Sequence, residues 1–194
     1  LDTLRAILAS GRISQPALAA RLGHSGPPVL QNVRELMAQG LVSEAGVFDS
    51  TGGRKAKAFA PVYDARVSVG VEITRTHLRV VLIDLAGNLL YHQRHKLPFA
   101  MTAAYLAAMG EFVEAALRMQ HVELARLLGV GVSLPGIVDR EGAVLTSSHV
   151  LRLYNVKTEN FSRSLPFRCF FINDANAAGL AEVYNHDSRD SLVY

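Results

Sequence analysis

The stretch from Phe171 to Glu182, FINDANAAGLAE, changes character at its third and fourth residues. The run RCFFI ahead of them, Arg168 to Ile172, is aromatic and apolar and reads as a strand. The small and apolar residues behind them, ANAAGLAEVYN, read as a helix. Asn173 and Asp174 therefore stand where a strand hands over to a helix, the place where α/β proteins present side chains to a ligand. A helix cap accounts for the same pair, because Asn or Asp at that point satisfies free backbone N–H groups. One residue can cap while the other meets a ligand.

Working back from this stretch, GVGVSLPG reads as a strand ending in a Pro135–Gly136 turn, followed by a loop region and a short helix near Phe161. RVSVGVEIT, HLRVVLIDLAG and NLLYHQRHKLPF, from Arg66 onward, read as three strands, the second and third joined at Gly87–Asn88. A long amphipathic helix is expected from about residue 102 to 128. Three antiparallel strands followed by alternating helices and strands is the order of an actin-like, ribonuclease-H-like lobe, spanning residues 67–194.

Residues 1–62 have another pattern. Leu4, Ile7 and Leu8 lie at helical spacing, and a second helix follows Ser14 as its expected N-cap. A third carries Val29, Val33, Leu36 and Met37 as its apolar stripe and stops at Gly40. Two strands around a Gly-Gly tip complete a winged helix-turn-helix. In that reading Gln31 and Arg34 read bases, and Arg54 at the wing tip enters a minor groove. Lys55 and Lys57 contact phosphates. Pro27 and Pro28 take positions where a reader helix usually offers polar side chains, so base readout falls mainly to Gln31 and Arg34.

Charge agrees with this division. Residues 1–66 hold eight Lys/Arg and five Asp/Glu, a net of 8 − 5 = +3, whereas residues 67–194 hold twelve of each. The basic excess sits on the unit expected to meet a polyanion. Cys169 is a single cysteine and is expected to be a buried thiol. With no apolar run near the ~20 residues a spanning helix needs, and no signal segment at the start, a cytoplasmic location is expected. The chain opens without Met inside a helical pattern and stops at DSLVY, a strand just beginning, so a truncated chain is expected. Of seven histidines, His92 and His95 are three apart on a strand and project to opposite faces, which excludes joint chelation. No metal site and no catalytic residue is assigned within the chain.

ISQPALAARLG, VRELMAQGLV, TGGR, GVEITRTHLRVVLIDLAG, GVGVSLPGIVDREGAVL and FINDANAAGLAE together resemble the transcriptional regulators of the ROK family, which also holds sugar kinases. The resemblance implies a regulator, a repressor of sugar metabolism or uptake genes, with operator DNA and a sugar or sugar-phosphate effector as partners. It implies a homodimer or higher homo-oligomer, and a structural zinc held by residues beyond this chain. By the same resemblance Gly136, Ser148, Asn173 and Asp174 face the sugar, and His149 falls where several family kinases carry Asn. Asp174 corresponds to the kinases' general base. The kinases' phosphate loop reads Asp-x-Gly-Gly-Thr, where this chain has Glu72-Ile73-Thr74-Arg75-Thr76. Both glycines that let the backbone approach a triphosphate are replaced. A sugar sensor without phosphoryl transfer is the first expectation, and an ATP-dependent sugar kinase with an accessory DNA-binding domain is the alternative.

Overall fold

The computed structural model describes residues 1–48 and 56–185, the last two by backbone alone. Arg54, Lys55 and the expected terminal strand DSLVY lie outside the described residues. The chain divides into two compact units: Leu1–Arg66 with the short segment Asp84–Ala86, and the chain from Val67 onward apart from that segment. No helix among the described residues is long and apolar enough to cross a membrane.

In the first unit the helices are α1 (Asp2–Ser10), α2 (Gln15–Leu22) and α3 (Gly26–Ala38). The Ser14 hydroxyl accepts the Ala17 N–H at 3.3 Å, and proline occupies the first turn of α2, so this helix begins where its cap dictates. The end of α3 is set by Gly40 at φ +70°. Its N–H donates to the Met37 carbonyl at 2.9 Å, and the Leu41 N–H to the Leu36 carbonyl at 2.9 Å. That paired closure needs a left-handed residue, which glycine adopts without a Cβ clash. Ile7, Leu18, Val29, Val33 and Phe59 interlock as the fully buried core.

Strands β1 (Ile13–Ser14), β2 (Val42–Phe48) and β3 (Ala56–Pro61) form a sheet in the order β1-β3-β2. β1 was not anticipated. The residues between the first helix and Ser14 carry no strand pattern, yet Ile13 pairs with Phe59 and carries its side chain into the core. Only the distant strand supplies the partner, so two residues alone give no periodic signal.

The second unit contains β4 (Val67–Ile73), β5 (His77–Asp84), β6 (Leu89–Lys96), α4 (Ala103–Met119), β7 (Leu127–Leu134), β8 (Ile137–Val138), β9 (Val144–Ser148), β10 (Leu153–Lys157), α5 (Glu159–Ser162), β11 (Cys169–Asn173) and α6 (Asp174–Asn185). Its main sheet runs β11-β7-β4-β5-β6, with β4, β7 and β11 parallel and β6 antiparallel to β5. Numbering only the five strands of this sheet in chain order, the arrangement is fifth, fourth, first, second, third, that of the ribonuclease-H-like lobe. Val67, Val69, Val71 and Ile73 alternate into the core against Tyr105, Met109, Val113 and Leu117 of α4.

Two expectations are corrected here. The helix expected to about residue 128 ends at Met119, because His121 turns left-handed at φ 49°. The His121 N–H donates to the Arg118 carbonyl at 3.1 Å and the Val122 N–H to the Leu117 carbonyl at 2.9 Å, the paired closure that glycine usually provides. The expected loop region after Gly136 is instead a three-stranded antiparallel sheet, in the order β10-β9-β8. Its strands are two to five residues long, and pairing rather than local pattern defines them.

Candidate functional site

Because β4, β7 and β11 are parallel, Ile73, Leu134 and Asn173 all fall at one end of the sheet. The sequence places the candidate ligand groups there, and the structure brings three of them together. The Asn173 side-chain amide donates to the Gly136 carbonyl, and its carbonyl oxygen accepts the Asn176 N–H at 3.0 Å. Asn173 is thus both the N-cap of α6 and the tie to the turn after β7. One amide hydrogen and one acceptor lone pair remain.

Ser148 lies beneath that turn and is 1% exposed. Its hydroxyl donates to the Pro135 carbonyl and accepts the Leu151 N–H at 3.1 Å. The hydroxyl's proton is therefore engaged inside the protein, and Ser148 supports the turn. Gly136 has φ +143°, and a Cβ there would lie 2.4 Å from the Ser147 carbonyl oxygen and 2.9 Å from the Ser148 Cβ. Only glycine lets the turn and the end of β9 approach this closely.

Asp174 is exposed, one carboxylate oxygen accepting the Ala175 N–H at 3.0 Å. Of the four candidate residues it is the one whose charged end is open to solvent. His149 is also exposed, its Nδ1 3.3 Å from the Tyr154 hydroxyl and the two rings edge to face. The second sheet, missed in the sequence, is what carries Ser148, His149 and Tyr154 to this end.

At the β4–β5 turn, the Thr74 N–H donates to the His77 carbonyl at 3.0 Å, and the Thr74 hydroxyl accepts the His77 N–H at 3.0 Å. Thr74 closes this hairpin with its side chain, where a glycine pair would leave the backbone bare. Glu72 forms an ion pair with Arg79 at 2.9 Å. Among the described residues, no group of three or more His, Cys, Asp or Glu is arranged to hold a metal. His92 is exposed, whereas His95 stacks on Phe112 with ring centroids 3.5 Å apart, so the two project apart as expected. Cys169 is only partly buried; burial raises its thiol pKa, and its Sγ lies 3.4 Å from the Phe167 carbonyl.

In the winged helix, Gln31 and Arg34 are exposed on α3. The Gln31 amide donates to the Glu35 carboxylate at 2.9 Å, one turn on. Lys57 pairs with Glu44 across the wing at 2.6 Å, both side chains remaining half exposed. Arg12 escaped the sequence reading. Its guanidinium donates to the Val47 carbonyl at 3.1 Å and lies over the Phe48 ring at 4.6 Å, holding the wing strand to the helical body. An arginine in a short break offers no signal until the wing folds against it.

A winged helix followed by an actin-like lobe, with its polar residues gathered at one sheet end, defines the class of protein. The chain belongs to the ROK family: the family model matches residues 68–194, and a winged helix-turn-helix DNA-binding model matches residues 1–43. It is similar to the DNA-binding transcriptional dual regulator NagC of Escherichia coli K12, with 27% identity over 194 residues, covering 94% of this chain and 46% of that protein. It is similar also to the xylose repressor of Bacillus spizizenii, with 26% identity over 183 residues, covering 92% and 47%. The chain spans about half the length of the curated relatives it matches. A crystal structure of a ROK family transcriptional regulator, a homolog of the E. coli MLC protein, has the same fold, with TM-score 0.69, 22% identity and coverage of 93% of this chain and 46% of that one. A ROK family glucokinase from Streptomyces griseus, in complex with glucose and AMPPNP, shares the fold with TM-score 0.52, 21% identity and coverage of 63% and 38%.

Proposed function

We propose that this chain carries the DNA-binding unit and part of the effector-binding lobe of a transcriptional regulator, a repressor of genes for sugar metabolism or uptake. The relatives are named for N-acetylglucosamine and xylose, which supports a sugar or sugar phosphate as effector. Asp174 accepts a sugar hydroxyl, each charge-assisted bond contributing about 1.5–3 kcal/mol. Asn173 offers its remaining N–H and lone pair, while Gly136 and Ser148 fix the turn beside it. Gln31, Arg34 and Lys57, with Arg54 and Lys55, meet operator DNA, and a homodimer presents two such units to a two-fold operator in the cytoplasm. Effector binding shifts DNA affinity by favouring one of two lobe geometries.

The observation that carries the sensor reading is the β4–β5 turn. Thr74 and Arg75 stand where a phosphate loop needs bare backbone, and Glu72 is already paired with Arg79. The competing reading, an ATP-dependent sugar kinase, draws on the solvent-open carboxylate of Asp174. ATP turnover by the full-length protein across hexoses, amino sugars and pentoses separates the two. Turnover at background, with a sugar-induced thermal shift that Asp174→Ala removes, is the expected result. Phosphorylated sugar would replace the sensor with the kinase.

A further inference from the structure

β5 and β6 pair with His77 opposite Lys96, Arg79 opposite Arg94, and Val81 opposite His92. Leu78, Val80 and Leu82 point into the core, so the strand alternation sets His77, Arg79, Arg94 and Lys96 together on the other face. Like charges directly across an antiparallel pair are destabilising, and Arg79 opposite Arg94 is such a pair. One carboxylate reaches the group among the described residues, Glu72, and it pairs with Arg79. Arg94 and Lys96 have no ion-pair partner there, and the Arg79 Nε is shut from solvent without an acceptor.

His77 completes the arrangement. Its Nδ1 lies 2.8 Å from the Thr76 hydroxyl and 3.1 Å from Arg94 Nη2. A guanidinium can only donate, so Nδ1 is the acceptor and the proton of the neutral ring sits on Nε2. Desolvation, and then the charges of Arg94, Lys96 and Arg79, hold the imidazole below its ordinary value. Opposed residues lie about 5 Å apart across the pair, and alternate residues about 7 Å apart along a strand. Arg94 and Lys96, alternate residues of β6 on one face, are thus within reach of one small oxyanion, while the His77 Nε2–H points away from Arg94.

We propose that this β5–β6 face is a phosphate-binding site, with Arg94 and Lys96 as the charged contacts, Arg79 behind them, and the His77 ring beside them held by Arg94. It lies on β5 and β6, three strands from β11 in the sheet order, and begins where the β4–β5 turn ends. A free phosphoester and the phosphodiester backbone of DNA share the chemistry that such a face recognises.

The test follows the ring resonances of His77 by NMR in the full-length protein. Inorganic phosphate, a short DNA duplex, and sodium chloride at matched ionic strength are titrated separately. Phosphate is expected to raise the His77 titration midpoint saturably, because a bound dianion offsets the surrounding cations. In Arg94→Gln/Lys96→Gln the midpoint starts higher and the phosphate response is lost, while amide spectra report an intact fold. A response to duplex alone assigns the same site to the DNA backbone. Silence towards both, or an equal shift with sodium chloride, overturns the proposal, since screening alone would then account for it.

Discussion

The Asn173 amide donates to the Gly136 carbonyl, so the junction of β11 and α6 is tied to the turn that follows β7. Together with the cap to Asn176, this makes Asn173 a structural residue as well as a candidate ligand. Asn173→Ala is expected to cost about 1–3 kcal/mol, a lost cap plus a lost bond to a part-buried carbonyl. Asp174→Ala, at an exposed position, should stay within about 0.5 kcal/mol of the parent. Urea unfolding measures both. Sugar-induced stabilisation should vanish in Asp174→Ala even though its own stability is unchanged. Equal stability losses in the two variants would remove this division of labour.

Gly136→Ala tests the close approach beneath the turn. A methyl group at φ +143° meets the Ser147 carbonyl and the buried Ser148. Strain of this kind costs about 1–3 kcal/mol before any displacement of β9 is counted. The denaturation midpoint should fall accordingly, and effector-induced stabilisation should weaken with it. A parental midpoint would show that the turn can move aside freely.

Base and phosphate contacts in the winged helix are separable by salt. Arg34→Ala is expected to cost about 1–3 kcal/mol on the preferred operator and to relax selectivity at one base pair. Lys57→Ala should weaken all duplexes alike and reduce the slope of log affinity against log salt by about 0.9. Because Glu44 pairs with Lys57, Glu44→Gln should release the lysine and strengthen binding to any sequence. Quantitative gel shifts at several salt concentrations report each slope. An unchanged slope in Lys57→Ala would take that residue out of the interface.

His95 gives the second unit a stability that depends on pH. Its ring stacks on Phe112, its Nε2 is shut from solvent without a protein partner, and burial holds its pKa below the ordinary 6.5. On acidification the unfolded chain therefore takes up the proton first. The stability from the neutral ring is complete above the ordinary value and is lost as pH falls through the folded value. Urea midpoints from about pH 7.5 to about pH 5 should decline, and His95→Phe should flatten that limb. The same slope in His95→Phe would place the proton uptake elsewhere.

Much of this protein was legible in its residues. Apolar periodicity marked α1, α2, α3 and the three strands from Val67, and FINDANAAGLAE announced a strand-to-helix junction with polar residues at the join. Those features are local: alternation or a stripe of side chains is written directly along the chain. Gly40 and Ser14 likewise signalled helix ends, because their conformational and capping preferences act within a few residues.

Tertiary structure alone decided the rest. β1 and the β8–β9–β10 sheet are too short to show a period and exist through pairing with residues far away. His121 ends α4 in a conformation its side chain does not favour, since two backbone bonds and the packing of Val122 hold it there. The roles inside the candidate site were divided in the same way. Asn173, Asp174, Gly136 and Ser148 look alike in the sequence as polar or small residues near turns. The parallel pairing of β7 and β11 ties Asn173 to Gly136, the small sheet seats Ser148 beneath the same turn, and Asp174 is left facing solvent, because a hydrogen bond across 37 residues is a property of the folded sheet.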